Sequence, residues 1–373
     1  MEASKSSMKS IKIIDSESVR RLVVHKQMLA PSMQGCSKGD VVNIVSKIAG
    51  IQYDPLPIVA QAHYLTLWNR VKGFHEDWLD SLLYEDRLLV ETELMRQVMH
   101  IVPIHELPYY YQATRTARFQ SGRNIFDISK YTVDIKLYIN KILRKIERKD
   151  VISISDFDKK ERGLIKTVLF YLLWNGKIII VRRDKGPFRR AYYGFPDRFI
   201  KNFPDLNSVS EEESREWLIL KILGAFGISS KRHIARYIGY SLDEVDEILK
   251  KLERKGEISK VKVKGIKKEQ YIHAIDERGL ENSEQEEDHI SLLTPIDNLV
   301  RDRKWLREVF GYTFKLEYFR KKKMKWQTSI LYNTDFLGFI NPKADRPRKI
   351  MIIKEIVLNR DLNEKWLFNL FHR

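Results

Sequence analysis

SREWLILKILGAFGISSKRHIARYIGYSLDEVDEILKKLERKGEISKVKVKGIKKEQYIHA, residues 214–274, is the stretch that decides the fold. Trp217, Leu218, Leu220, Ile222 and Leu223 make Ser214–Phe226 an apolar helix, and Gly227 supplies the left-handed conformation that stops it. Ser230 is placed to cap a helix over Lys231–Ile238. Ser241 is placed to cap another, with Leu242, Val245, Ile248, Leu249 and Leu252 on one face and Gly256 at its end. Glu257–Val263 and Glu269–Ala274 then read as two strands around a Lys/Gly turn. Three helices followed by a hairpin make a winged helix.

The same order of elements precedes it. Tyr131–Arg148 reads as a helix. A second helix runs from Ser155, with Leu164, Ile165, Val168, Leu169 and Leu172 apolar, to Gly176. Lys177–Arg183 and Phe188–Phe195 then form a hairpin. Further upstream, Ser16–Leu29, Asp40–Ala49 and Pro57–Val71 read as helices of a less regular copy. No sequence repeat accompanies these units, so they rest on element order alone. Residues 276–288 hold seven acids and one base, Arg278, and read as a linker. After it come the strand-like runs Thr313–Phe319, Trp326–Tyr332, Phe336–Ile340 and Lys349–Leu358. The expected fold class is therefore α+β: three tandem winged-helix units over 1–115, 116–205 and 206–276, an acidic linker over 277–288, and a β-rich C-terminal domain over 289–373.

The 373 residues suit two to four domains. The 67 Lys+Arg against 50 Asp+Glu leave a net charge of +17, which points to a polyanion as partner. The surplus is local. Residues 141–190 carry 15 bases and 6 acids, and residues 301–373 carry 18 and 8. Arg182, Arg183, Lys185, Arg189 and Arg190 fall on one expected wing; Arg320, Lys321, Lys322, Lys323 and Lys325 fall on the C-terminal turn. Aromatics interleave with both sets, as in nucleic-acid contact, where cations meet phosphates and flat rings meet sugars or bases. A solvated basic surface over aromatic core positions would read the same way. Asp243, Glu244, Asp246 and Glu247 open the third helix of the 206–276 unit, where a DNA reader would present its groove-facing residues. Carboxylates there would repel phosphates, so this unit reads as scaffold. A single cysteine, Cys36, excludes a disulfide framework and a Cys-rich metal site. No apolar run reaches the ~20 residues of a membrane span, and Met1–Lys12 lacks the apolar core of a signal peptide. A cytoplasmic, nucleoid-associated monomer that needs neither metal nor cofactor and has no membrane partner is the expectation.

Chemistry concentrates at Gln52-Tyr53-Asp54-Pro55. Pro55 biases Asp54 towards extended backbone, and in extended backbone residues two apart face one side. Gln52 and Asp54 would then aim an amide and a carboxylate at one point, enough to orient a water and take its proton. A plainer account also fits: Asp54 caps the next helix and Gln52 bonds to backbone. The residues alone leave both open.

The run QYDPLPIVAQAHYLTLWNRV, residues 52–71, resembles the signature of the crosslink-repair DNA glycosylases, the YcaQ/AlkZ family of tandem winged-helix proteins. Residues 292–303, LLTPIDNLVRDR, resemble a second family stretch. Leu306 to Tyr312, and Gly338 to Arg346, resemble its closing strands. The likeness spans about residues 15–360, in the same order. It implies a curved scaffold cradling duplex DNA and hydrolysis of the N-glycosidic bond of an alkylated purine, with Gln52 and Asp54 catalytic. A guanine alkylated at N7 is already cationic and leaves without a general acid. One carboxylate that stabilises the oxocarbenium-like sugar and deprotonates water would then suffice. A crosslinked base cannot be extruded, which implies an open site.

The sequence departs from the family at Ala60-Gln61, where Glu-Arg is usual, and at His63, which stands alone where two or three histidines are usual. An expected His and Glu near residues 93–100 are not at matching positions. His63 either edges the site or packs between helices; His100 either edges it or is a hydrogen-bonded histidine at a strand end. No lysine stands out as a Schiff-base nucleophile. The alternative functions are a non-catalytic winged-helix regulator or architectural factor, and a metal-dependent nuclease.

Overall fold

A computed structural model describes residues 11–115, 135–186, 189–279, 288–313 and 326–359. The basic turn at Arg320, Lys321, Lys322, Lys323 and Lys325, the strand expected at Thr313–Phe319 beyond its first residue, and most of the acidic linker lie outside those residues.

Local capping chemistry starts several of the helices. Strand β1 (Lys12–Ile14) leads into α1 (Ser16–Lys26), where Asp15 accepts the backbone N–H groups of Glu17 and Ser18. Helix α2 (Lys38–Lys47) opens on a capping box of Ser37 and Asp40. It ends on two left-handed residues, Ala49 and Gly50, that swing the chain into β2 (Ile51–Gln52). A Cβ on Gly50 would lie 2.8 Å from a Val102 methyl, so only glycine fits. Then follow α3 (Ala62–Trp68), α4 (Glu76–Tyr84), β3 (Leu89–Glu93) and β4 (Met99–Pro103). β2, β4 and β3 form one antiparallel sheet in that order, with Gln52 opposite His100 and Thr92 opposite His100 on its other side. α2, α3 and α4 close over it on Val41, Ile44, Ile48, Leu67, Leu79 and Leu82.

Helix α5 (Leu107–Arg115) runs to the next described group. There, α6 (Ile135–Lys149), β5 (Ile152–Ser153), α7 (Arg162–Trp174), β6 (Ile179–Arg183) and β7 (Ala191–Gly194) build a second core around Ile142, Ile146, Val168 and Leu172, with sheet order β5-β7-β6. α8 (Pro196–Phe199) leads on to α9 (Glu211–Phe226), α10 (Lys231–Ile238) and α11 (Leu242–Arg254). Ser230 and Ser241 cap α10 and α11 as expected, Ser241 in a capping box with Glu244. β8 (Ile258–Val263) and β9 (Gln270–His273) complete the hairpin, and α12 (Ala274–Gly279) follows. β1 adds to this third sheet, parallel to β8, and α1 packs with α9 in the same core, so the first described residues join the 206–276 group. Of the acids that open α11, Asp246 pairs with Lys231 and Lys250, and Glu244 faces Arg215 at 3.4 Å.

The C-terminal part contributes β10 (Ile290–Leu293), α13 (Arg303–Phe310), β11 (Thr328–Tyr332), β12 (Asp335–Asp345) and β13 (Ile350–Leu358), the four strands paired in that order. Three expectations are corrected. The helix expected over Pro57–Val71 is confined to Ala62–Trp68. Pro57 disfavours helix at Leu56, and the Leu56 N–H is taken by Asp54 at 2.7 Å. Ser155 lies in a single 3-10 turn closed by Ser153 and Asp156, and the helix begins only at Arg162. Leu306 to Tyr312 is no closing strand: Asp302 caps a helix there that buries Trp305, Leu306 and Val309.

Candidate active site

The middle residue of Gln52-Tyr53-Asp54 is the anchor. Tyr53 is buried, its ring stacked on His63 at 4.5 Å and with the Arg183 guanidinium over it at 4.2 Å. Its N–H donates to the Met99 carbonyl at 2.9 Å, which continues the β2–β4 ladder by one residue. Ile51 and Tyr53 therefore point inward, and Gln52 and Asp54, each half-buried, take the alternate side. Strand pairing with β4 carries the chain through Tyr53. The plainer account is met in part, since Asp54 Oδ1 accepts the Leu56 N–H, but it caps no helix: α3 begins at Ala62 with no side-chain cap.

Braces from far along the chain fix this strand. Asn298 donates to the carbonyls of Ile48 (2.5 Å) and Gly50 (2.7 Å), just before β2. Arg346, at the end of β12, donates to the carbonyls of Pro57 (2.7 Å) and Val59 (2.9 Å), just after Asp54. Arg70, wholly buried, meets Asp297 through two bonds of 2.8 and 2.9 Å and also donates to the carbonyls of Gln27 and Thr66. Asn69 exchanges hydrogen bonds with the Leu292 backbone. The sequence stretches 52–71, 292–303 and 338–346 thus meet around Gln52 and Asp54.

The two histidines are buried and neutral. Burial, then the Arg183 and Arg189 charges, hold the His63 pKa well below its ordinary value, and the Asp54 backbone opposes them. Burial, then Arg301, push His100 down to about 3. Its Nδ1 donates to the Val98 carbonyl (2.7 Å), which leaves Nε2 to accept from Arg301 (3.0 Å). Asp54 moves the other way: burial raises its pKa, the Leu56 N–H opposes, and no cation pairs with it among the described residues.

Gln52 and His100 line an open cleft of about 420 Å³ together with Met95, Arg96, Arg236, Tyr237, Arg301 and Lys304; Asp54 and His63 are outside that lining. The wing cations divide. Arg182, Lys185 and Arg190 are exposed, with Arg182 over the Tyr192 ring at 3.5 Å. Arg183 and Arg189 do not face outward as DNA contacts. Arg183 is bidentate to buried Glu91, and Arg189 binds Asp80 and Tyr64. Sequence reading missed Arg96, Arg236, Arg301 and Lys304, which come from separate segments; only the basic surplus of residues 301–373 hints at two of them.

Glu93, buried on β3, has no cation against it among the described residues, and burial pushes its pKa up to about 8. A raised carboxyl pKa gives stability that is complete below the ordinary value of 4.5 and is lost as pH rises towards 8. Stability should fall by at most about 1.4 kcal/mol per pH unit across that window. Glu93→Gln should abolish this fall, as measured by urea unfolding at pH 5 and pH 8.5; parallel curves for the two proteins would contradict it.

Known proteins agree with this architecture. The family model for AlkZ-like DNA glycosylases matches residues 45–364. Among solved structures, the Streptomyces sahachiroi DNA glycosylase AlkZ superposes with a TM-score of 0.67 at 14% identity, over 95% of this chain and 94% of that one. No curated protein matches the chain. Three interlocked stretches that hold one amide and one carboxylate, and a family match over most of the length, lead to one conclusion: the chain belongs to the AlkZ-like DNA glycosylase family.

Proposed function

We propose that the protein hydrolyses the N-glycosidic bond of alkylated purines in duplex DNA, N7-alkylguanine above all and interstrand crosslinks among its substrates. The observation that supports this reading is the pinned Tyr53, with half-buried Gln52 and Asp54 as its two chain neighbours. Asp54, unpaired among the described residues, stabilises in its carboxylate form the positive charge that develops on the sugar and takes the proton of the attacking water; Gln52 orients that water. His63 and His100 are neutral at physiological pH and have no proton to give. That suits a leaving base that is cationic before the bond breaks. The open cleft beside Gln52 suits a base tethered to the opposite strand. The three helix-and-sheet groups read as winged helices on which the duplex lies. The carboxylates that open α11 weigh against a regulator that reads bases with that helix.

An oligonucleotide duplex with one 7-methylguanine, treated with the protein and then with hot alkali, should break at that position. Gln52→Ala should slow base release about 100-fold, the size expected for removing one positioned hydrogen-bonding group, and a chelator should leave the rate unchanged. Strand breaks without alkali that a chelator abolishes would replace this reading with a metal-dependent nuclease.

A further inference from the structure

The cleft in front of Gln52 carries cations that its own carboxylate does not neutralise. Asp302 is taken by Arg236, in two bonds of 3.0 and 3.1 Å. Arg301 lies over the Tyr237 ring at 3.9 Å and donates to neutral His100, and no carboxylate pairs with it among the described residues. Arg96 and Lys304 make no side-chain hydrogen bond or ion pair among the described residues.

Arg96 arrives there on strained backbone. The turn between β3 and β4 holds Arg96 at φ 58° and Gln97 at φ 55°, consecutive non-glycine residues in the left-handed region. Backbone of this kind persists where the surroundings enforce it, and it gathers at binding sites. The turn brings Arg96 towards Arg301 and Arg236. Burial and repulsion by these two lower its pKa, and Asp302 alone opposes them. Like charges gathered by a strained turn are stabilised by an anion placed between them. Guanidinium groups supply the paired donors that phosphate oxygens accept.

Building on the glycosylase reading, we propose that this cleft seats one backbone phosphate of the DNA strand that carries the damaged nucleotide, gripped by Arg96 and Arg301 beside Gln52. Both arginines are positioning residues: by fixing the phosphate they set the attached sugar against the Gln52 amide and the Asp54 carboxylate. Neither touches the bond that breaks.

The test is the salt dependence of affinity for a duplex carrying a tetrahydrofuran abasic analogue, for wild type, Arg96→Gly, Arg301→Gln and the double variant. Freeing one phosphate from its protein cation should reduce the slope of log K against log salt by about 0.9. Each single variant should show a reduction up to that size. The double variant should also show about 0.9 in total, because one phosphate serves both side chains. Glycine accepts the backbone of residue 96, so Arg96→Gly should keep or raise the melting temperature while weakening binding, which a merely structural arginine would not do. Wild-type slopes in the single variants, or a reduction near 1.8 in the double, overturn the single-phosphate site. Base release from the 7-methylguanine duplex separates the two claims. Release by wild type with unchanged slopes sinks the phosphate site alone; tight binding without release sinks the glycosylase reading.

Discussion

Asp54→Asn should lower base release by about 10²–10⁴-fold, the range expected for loss of a general base, and should at the same time raise the melting temperature at neutral pH. The two effects share one cause. Asp54 is half-buried, its pKa is raised by burial, and its carboxylate accepts the Leu56 N–H at 2.7 Å, a bond that an asparagine oxygen can equally accept. The variant therefore keeps the turn and removes only the charge. A carboxyl pKa raised by folding means that ionisation opposes the fold. This penalty is absent below the ordinary value of 3.8, grows as pH rises from there through the raised value, and is constant above it. The gain in melting temperature should follow that course. Single-turnover kinetics on the 7-methylguanine duplex and melting curves at pH 3.5 and pH 7.5 measure both halves. Wild-type turnover by Asp54→Asn would remove Asp54 from the chemistry; an unchanged melting temperature at pH 7.5 would show that its charge is well solvated.

Asp297→Ala should cost about 3–5 kcal/mol, the penalty of leaving a buried guanidinium without its partner. Arg70 is 0% and Asp297 1% exposed, and two bonds of 2.8 and 2.9 Å join them. With the carboxylate gone, the cation's partners among the described residues are backbone carbonyls and the Gln27 side chain. Burial of apolar groups at both positions removes the charge and the penalty together. The double variant Arg70→Met/Asp297→Leu should recover much of the loss in urea unfolding. A single variant as stable as wild type would show that water reaches the pair. Base release should fall with stability in Asp297→Ala, because α3 carries both Thr66, whose carbonyl Arg70 meets, and His63, which stacks on Tyr53 between Gln52 and Asp54.

What the sequence disclosed follows the range of the forces. Ser230, Ser241 and Gly227 act within one turn of a helix, so local chemistry places the helices and hairpin of 214–274. The alternation that sets Gln52 and Asp54 on one side is equally local, a matter of Pro55 and extended backbone. Sheet partners are not. Gln52 pairs with His100, 48 positions on, and nothing in either segment announces the other. The strands Leu89–Glu93 and Met99–Pro103 are hard to read because β3 is buried on both faces and lacks the alternation of a half-exposed strand. The wing arginines mislead because a basic run looks alike whether it meets solvent or not. Glu91 and Asp80, which turn Arg183 and Arg189 inward, lie 92 and 109 positions upstream of them. Leu306 to Tyr312 resembles a strand only by family likeness; Asp302 and the spacing of Trp305, Leu306 and Val309 are the local marks of a helix.

The bonds from Asn298 and Arg346 to the backbone on either side of Gln52-Tyr53-Asp54 also set a schedule for synthesis. The backbone that Asn298 grips is translated 250 and 248 codons before it, and the backbone that Arg346 grips 289 and 287 codons before it. A nascent chain halted between residues 298 and 346 would carry Gln52 and Asp54 on a segment clasped on one side only, so the full clasp waits for Arg346 to be made.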